Sequence, residues 1–227
     1  MCSGRWGGVS GPPFATCNVA DNVGDDPAAV AANRARVAAA AGLPAPAAWV
    51  WLRQVHGAAV HLADAPTPAA TPPEADAAVT TRVGLPLAVT TADCAPVVLA
   101  APGAVAVAHA GHRGLVAGVL EATVERLRDA GAGRVEAFLG PCIRPARYEF
   151  GRDDLARVAA RLGEDVVGTT RDGRPALDVP AAVRAALARV GVDAVHDCGV
   201  CTAGSADHFS HRRDGPTGRQ VTVAVLT

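Results

Sequence analysis

The chain has 227 residues, half of them hydrophobic, with aromatics at only 4% and a formal net charge of -1. That length is enough to bury one sizeable core. The near-neutral charge leaves no electrostatic footprint for nucleic acid, and no apolar run approaches the roughly 20 residues that span a bilayer.

All 21 basic residues are arginine, so arginine abundance alone points to no anionic ligand. Residues 1–6 lack the apolar stretch of a secretory signal. The six cysteines are irregularly spaced and too few to staple a chain this long. A reducing cytoplasm is the expected compartment, with a monomer or a homodimer as the expected state.

Residues 4–25 are rich in Gly, Pro and Asn and read as irregular. Ser10, Asn18 and Asn22 there read as groups that satisfy turns, with a role in a site as the alternative. Asp26 before Pro27 predicts a capped helix running to Gly42. Trp49 to Gly57 reads as a strand, Ala58 to Leu62 as its return, and Asp64 to Glu74 as a surface loop.

β-type runs follow at Ala77–Thr81, Leu87–Ala92, Pro96–Ala100 and Ala104–His109. Leu115 to Ala130 is the clearest helix, with Val116, Val119, Leu120, Thr123, Val124 and Leu127 on one apolar face. Val135–Leu139 reads as a strand. Asp153 or Asp154 is expected to cap a helix to Gly163, and Asp178 a second ending near Gly191. Ala194–Cys198, Phe209–Arg212 and a last run to Thr227 complete the strands. Several strands adjoin without an intervening helix. The expected fold is therefore one mixed α/β (α+β) domain, a mixed sheet flanked by helices.

His56, Cys94 and His109 share one context: each closes a predicted strand beside a small or acidic residue. Two imidazoles and a thiolate fill three positions of tetrahedral zinc and leave one open. Strand ends converge at a sheet edge, so distance along the chain does not argue against the trio. Packed, non-ligating side chains are the alternative, and His61 and His112 are rival ligands. Arg113 lies beside free backbone N–H groups at a helix start, a natural anion position. Cys198-Gly199-Val200-Cys201 has no second C-x-x-C to complete a structural zinc site and reads as two reduced thiols near a strand end.

Several blocks occur in a recognisable order: Gly7-Gly8-Val9-Ser10, Gly24-Asp25-Asp26-Pro27 with Asn33-Arg34, Gln54-Val55-His56-Gly57, and Thr91-Ala92-Asp93-Cys94-Ala95-Pro96. They continue with His109-Ala110-Gly111-His112-Arg113-Gly114, Gly140-Pro141 with Tyr148-Glu149, and Phe209-Ser210-His211-Arg212-Arg213-Asp214-Gly215 with Gly218-Arg219. Together they resemble the YfiH-type family, named both as a polyphenol oxidase (laccase domain) and as purine nucleoside phosphorylase. The resemblance implies metal ligands at His56, Cys94 and His109. It also implies a purine nucleoside and phosphate as partners, and phosphorolysis of adenosine, inosine or S-methyl-5'-thioadenosine with a possible adenosine deaminase activity. His112 stands where the family carries Trp, which opens the substrate contact made by that ring and adds a proton carrier. The opening block starts abruptly, which predicts a short or missing N-terminal strand.

Ligand counting separates the two family names. A multicopper oxidase needs a blue-copper site plus a histidine-rich cluster, and seven histidines with a single, initiating methionine cannot supply both. Zn2+ is therefore the expected metal and Cu2+ the alternative, with a non-catalytic metal protein as a further rival. For phosphorolysis, Arg113 with Arg212, Arg213 or Arg219 is expected to hold phosphate; solvated strand ends are the alternative for the last three. Asp93, beside Cys94, is the candidate proton shuttle, or else a partner that orients a histidine. A metal that acidifies bound water would also suit deamination. Ser10, Asn18, Glu149 and Ser210, all within the resembling blocks, complete the candidate substrate contacts, and His112 and Arg113 the catalytic ones.

Overall fold

The structure, a computed structural model, describes residues 1–68 and 70–227. The first helix, α1 (Pro27–Ala40), starts where the Asp-Pro pair predicts: the Asp26 carboxylate accepts from the Ala28 N–H at 3.0 Å. Strands β1 (Val60–Leu62), β2 (Ala77–Thr80), β3 (Leu87–Thr91), β4 (Ala95–Ala101) and β5 (Ala104–Ala110) follow. Next come α2 (His112–Ala117), α3 (Val119–Asp129), β6 (Glu136–Leu139), α4 (Arg152–Leu162), β7 (Val167–Thr169) and β8 (Pro175–Leu177). The chain ends through α5 (Val179–Ala188), β9 (Val195–Asp197), α6 (His211–Asp214) and β10 (Gln220–Ala224).

Six strands form one sheet in the order β1-β2-β5-β4-β6-β9. Its two outer pairs, β1·β2 and β6·β9, are parallel and the inner pairs antiparallel. The architecture matches the expected mixed α+β domain. The two-residue period of β5 assigns its faces. Ala104, Ala106, Ala108 and Ala110 join the core against α3 and α5, with Leu120, Leu127, Val183 and Leu187. Val105 and Val107 join a second core with Leu87 and Val89 of β3.

On that second face lies a two-stranded ribbon, β3 with β10, and α1 covers the ribbon's far side through Val37, Ala38, Trp49, Val221 and Val223. Small side chains on the fully buried β5 let these layers approach closely, which fits an interior poor in aromatics. His109 continues the Val105, Val107 series. It therefore opens into the gap between sheet and ribbon, at the end where β3 stops.

Several expected elements take other forms. Trp49 to Gly57 is not a strand; it makes isolated bridges at Val50–Leu87 and Arg53–Glu74. The single helix expected from Leu115 is two, broken at Gly118, whose φ of 90° is left-handed. The apolar face is as predicted except that Val116 is only half-buried. Gly151, not Asp153 or Asp154, caps α4, and the two acids sit in its first turn. Phe209–Arg212 is no strand: the Ser210 side chain accepts from the Arg213 N–H and starts α6. The β7–β8 hairpin carries too short a pattern to be read from sequence. The opening residues make an isolated bridge, Cys2–Thr222. Of the loop expected from Asp64 to Glu74, residue 69 lies outside the described residues. Among the described residues no helix is long and apolar enough to cross a membrane.

Candidate metal centre

Three elements deliver the trio. His109 arrives on β5, at the centre of the sheet, and is 3% exposed. Cys94 follows the turn between β3 and β4, where Asp93 adopts φ 95°. His56 does not close a strand; it sits exposed in a loop at φ 62°. The donor atoms of His56, Cys94 and His109 all lie within 4.8 Å of one another, with Cys94 Sγ 3.9 Å from His56 Nε2. The two imidazoles meet edge to face at 4.7 Å between centroids. Neither rival joins them: His61 lies on β1, and His112 packs against Phe150 at 5.1 Å.

The donor set suits a zinc-like ion. Ligands at tetrahedral zinc distances stand roughly 3.3–3.8 Å apart, close to the spacing already present. Gly111 keeps the place open, because a Cβ there would meet His56 Cδ2 at 3.0 Å and Cys94 Sγ at 3.1 Å. Burial works against ionising the Cys94 thiol, but the His109 and His56 imidazoles outweigh it and pull its pKa down. Burial likewise works against a charged His109, and the Cys94 sulfur and the Asp76 carboxylate outweigh it and push its pKa up. A metal selects the thiolate, which these neighbours already favour, and neutral imidazoles, so binding at His109 would displace a proton from Nε2.

Sequence reasoning missed Asp76. Its carboxylate is fully buried and accepts from His109 Nδ1 at 2.8 Å. It also accepts from the backbone N–H groups of Val55, His56 and Gly57 at 3.1, 2.9 and 2.7 Å. Asp93, the candidate proton shuttle or else a partner to a histidine, makes no hydrogen bond to a histidine: it accepts from Thr202 Oγ1 at 2.6 Å and from the Arg212 N–H at 2.7 Å. The one signal for Asp76 in the sequence is a lone acid heading an otherwise apolar strand.

An aromatic wall adjoins the trio. His112 meets Phe150, Phe150 meets Tyr148 at 5.2 Å, and the Arg212 guanidinium lies 4.7 Å from the Tyr148 ring centroid. Burial, and secondarily the negative Cys94, pushes the Tyr148 phenol up to about 12. Burial and the neighbouring Arg113 hold His112 below its ordinary value.

The remaining predicted contacts divide. The Arg113 side chain is exposed and makes no hydrogen bond among the described residues. Arg212 Nη1 donates to the Glu149 carbonyl, and Arg219 Nη1 to the carbonyls of Thr217 and Gly218. Arg213 is bound on every nitrogen, to Asp214 and to the carbonyls of Thr202, Ser205 and His208. Glu149 pairs with Arg174. Ser10, Asn18 and Asn33 bond one another's loop and Asp25, the turn-satisfying role. A cavity of about 620 Å³ is lined by Met1, Cys2, Trp6, Cys17, Arg36 and Val37 among others and shares no residue with the trio. The donor chemistry, not cavity size, locates this site.

The family model described as multi-copper polyphenol oxidoreductase laccase matches residues 1–227. The chain belongs to that family. A Streptomyces coelicolor member named purine nucleoside phosphorylase is 49% identical over 95% of this chain and 90% of its own length. A Mycobacterium tuberculosis protein of the same name is 44% identical over 95% and 86%. The solved structure of YlmD from Geobacillus stearothermophilus superposes with a TM-score of 0.90 at 32% identity, covering 100% of this chain and 91% of that one. NMB0706 of Neisseria meningitidis gives 0.86 at 34% identity, covering 100% and 93%. For a laccase-like family member the histidines remain few: among the described residues one His–Cys–His group converges, where a multicopper enzyme needs a second, histidine-rich centre.

Proposed function

We propose that this chain is a zinc-dependent purine nucleoside phosphorylase acting on adenosine, inosine and S-methyl-5'-thioadenosine in a reducing cytoplasm, with adenosine deamination as a second activity. The observation that carries the reading is the convergence of two imidazoles and a thiol within 4.8 Å of one another beside an aromatic wall. The name shared by the Streptomyces and Mycobacterium relatives supports it. When bound, the ion supplies a Lewis acid held by His56, Cys94 and His109.

The chain's own residues then divide the remaining work. In phosphorolysis a phosphate oxygen bonds to the ribose C1′ as the C1′–base bond breaks, and the departing base takes up a proton. Arg113, Arg212 and Arg219 retain free donors and are assigned to the phosphate. The wall of His112, Phe150 and Tyr148 gives a purine ring a face to stack on. His112, whose pKa burial and Arg113 hold below its ordinary value, is assigned to relay to the leaving base a proton brought by dihydrogen phosphate, one ring nitrogen accepting as the other donates.

Asp93 is assigned to positioning: its anchors on Thr202 and Arg212 fix the turn that presents Cys94. Ser10, Asn18, Ser210 and Arg213 hold their loops through internal bonds, and Glu149 holds Arg174 and, through its carbonyl, Arg212. Incubating the zinc-loaded protein with adenosine and phosphate is expected to release adenine and ribose 1-phosphate, with inosine as the deamination product. Products no greater than those of a Cys94→Ala control would overturn the assignment. Oxygen uptake with a phenol, dependent on copper, would replace it with oxidase chemistry.

A further inference from the structure

Asp76 reaches both histidines of the trio by different routes. Oδ1 lies 2.8 Å from His109 Nδ1 and 2.9 Å from the His56 N–H, while Oδ2 takes the N–H groups of Gly57 at 2.7 Å and Val55 at 3.1 Å. A carboxylate only accepts hydrogen bonds, so His109 carries a proton on Nδ1, and Nε2 is the nitrogen left to meet an ion once it is deprotonated. Three successive N–H groups converging on one anion also account for the left-handed φ of 62° at His56. That conformation costs a residue with a Cβ roughly 1 kcal/mol or more, and it persists because the anion holds it.

The carboxylate is not needed for sheet pairing. The backbone of Asp76 already joins its neighbours, its N–H donating to the Ala59 carbonyl at 3.0 Å and its carbonyl accepting from the His109 N–H at 2.7 Å. The side chain is thus an anionic group fully buried at the foot of the trio, bonded to one ligand's ring and to the other ligand's backbone.

We infer that Asp76 is the positioning residue of the centre: one carboxylate sets the tautomer of the strand-borne ligand and the backbone of the loop-borne ligand, so that both present nitrogen to one ion. This rests on the reading of the trio as a metal site. His109 and His56 are therefore coupled through Asp76, and a change at that one carboxylate disturbs both.

The test titrates the full-length, metal-depleted protein with zinc against a competing chelator, and records long-range ¹H–¹⁵N histidine spectra of the zinc-loaded protein. The wild type is expected to bind with His109 still protonated at Nδ1. In Asp76→Asn an amide N–H beside the ring favours the Nε2–H tautomer, which places a proton where the ion binds. Zinc affinity is expected to fall by about 10–100-fold. Wild-type zinc bound through His109 Nδ1 overturns the inference without recourse to any variant. So does a folded Asp76→Asn protein with unchanged affinity. A wild type that binds no zinc instead overturns the metal reading, and the inference falls with it.

Discussion

The candidate metal centre and the arginine-rich stretch from Ser210 to Arg219 both look functional in the sequence, and they use their polar atoms differently. In the centre, Nδ1 of His109 is engaged by Asp76 while Cys94 and the two imidazoles still turn donor atoms toward one point. In the stretch, Arg213 has each of its nitrogens bound, to Asp214 or to the carbonyls of Thr202, Ser205 and His208. Ser210 starts α6, and Arg212 extends one guanidinium nitrogen to Glu149 while lying over Tyr148. Charge and position within a motif do not separate ligand-binding groups from structural ones; hydrogen-bonding capacity left over after folding does.

Arg213→Ala breaks that contrast most strongly if it is wrong. Removing a guanidinium that ties four backbone and side-chain groups together is expected to cost about 2 kcal/mol of stability, read as a lower urea midpoint. The KM for phosphate should stay within twofold of the wild type. A large rise in that KM with unchanged stability would make Arg213 a phosphate ligand and erase the distinction. Gly111→Ala probes the other side. Its backbone, at φ -77°, suits alanine, so the effect is steric: the new Cβ presses on His56 and Cys94 at 3.0–3.1 Å. Zinc affinity is expected to drop about tenfold by chelator competition, since ligands shift by a few tenths of an ångström, while metal-free thermal stability moves little.

The legible parts of this molecule are those whose cause is local. Asp26-Pro27 and Asp178 announce α1 and α5, because a capping carboxylate and the N–H groups it accepts from are neighbours in sequence. The β-branched and alanine runs of β2 to β5 announce themselves by composition. Trp49 to Gly57 reads equally well as a strand, yet its last residues wrap around the Asp76 carboxylate, a long-range cause that no window of sequence contains. Expected strand ends and the resemblance both single out His56, Cys94 and His109, although the strand expected to end at His56 is a loop. Asp76 and the His112–Phe150–Tyr148 wall were not, because their roles exist only as contacts. The break at Gly118 shows the converse: a continuous helical pattern hid one glycine whose left-handed φ divides α2 from α3.

The smallest expected effect lies where an arginine really is structural. Arg144 and Arg184 both donate to Asp197, as does the Gly199 N–H. They fix the end of β9, where the Cys198–Cys201 turn begins. The Arg144 guanidinium, against a smaller opposing contribution from burial, pulls the Asp197 carboxyl down to about 2. A carboxyl with a lowered folded pKa adds stability that is present above its unfolded value, near 4, and is lost as pH falls through about 2. Solvent screening of a pair at the surface limits the contribution to about 1 kcal/mol. Urea unfolding of wild type and Asp197→Asn should therefore differ by about that much at pH 7, and the gap should close between pH 4 and pH 2. A gap that is constant across this range would mean that Asp197 acts through shape and neutral hydrogen bonds. The arginines around it would then owe nothing to its charge, and charge would have no part in separating this corner from the candidate metal centre.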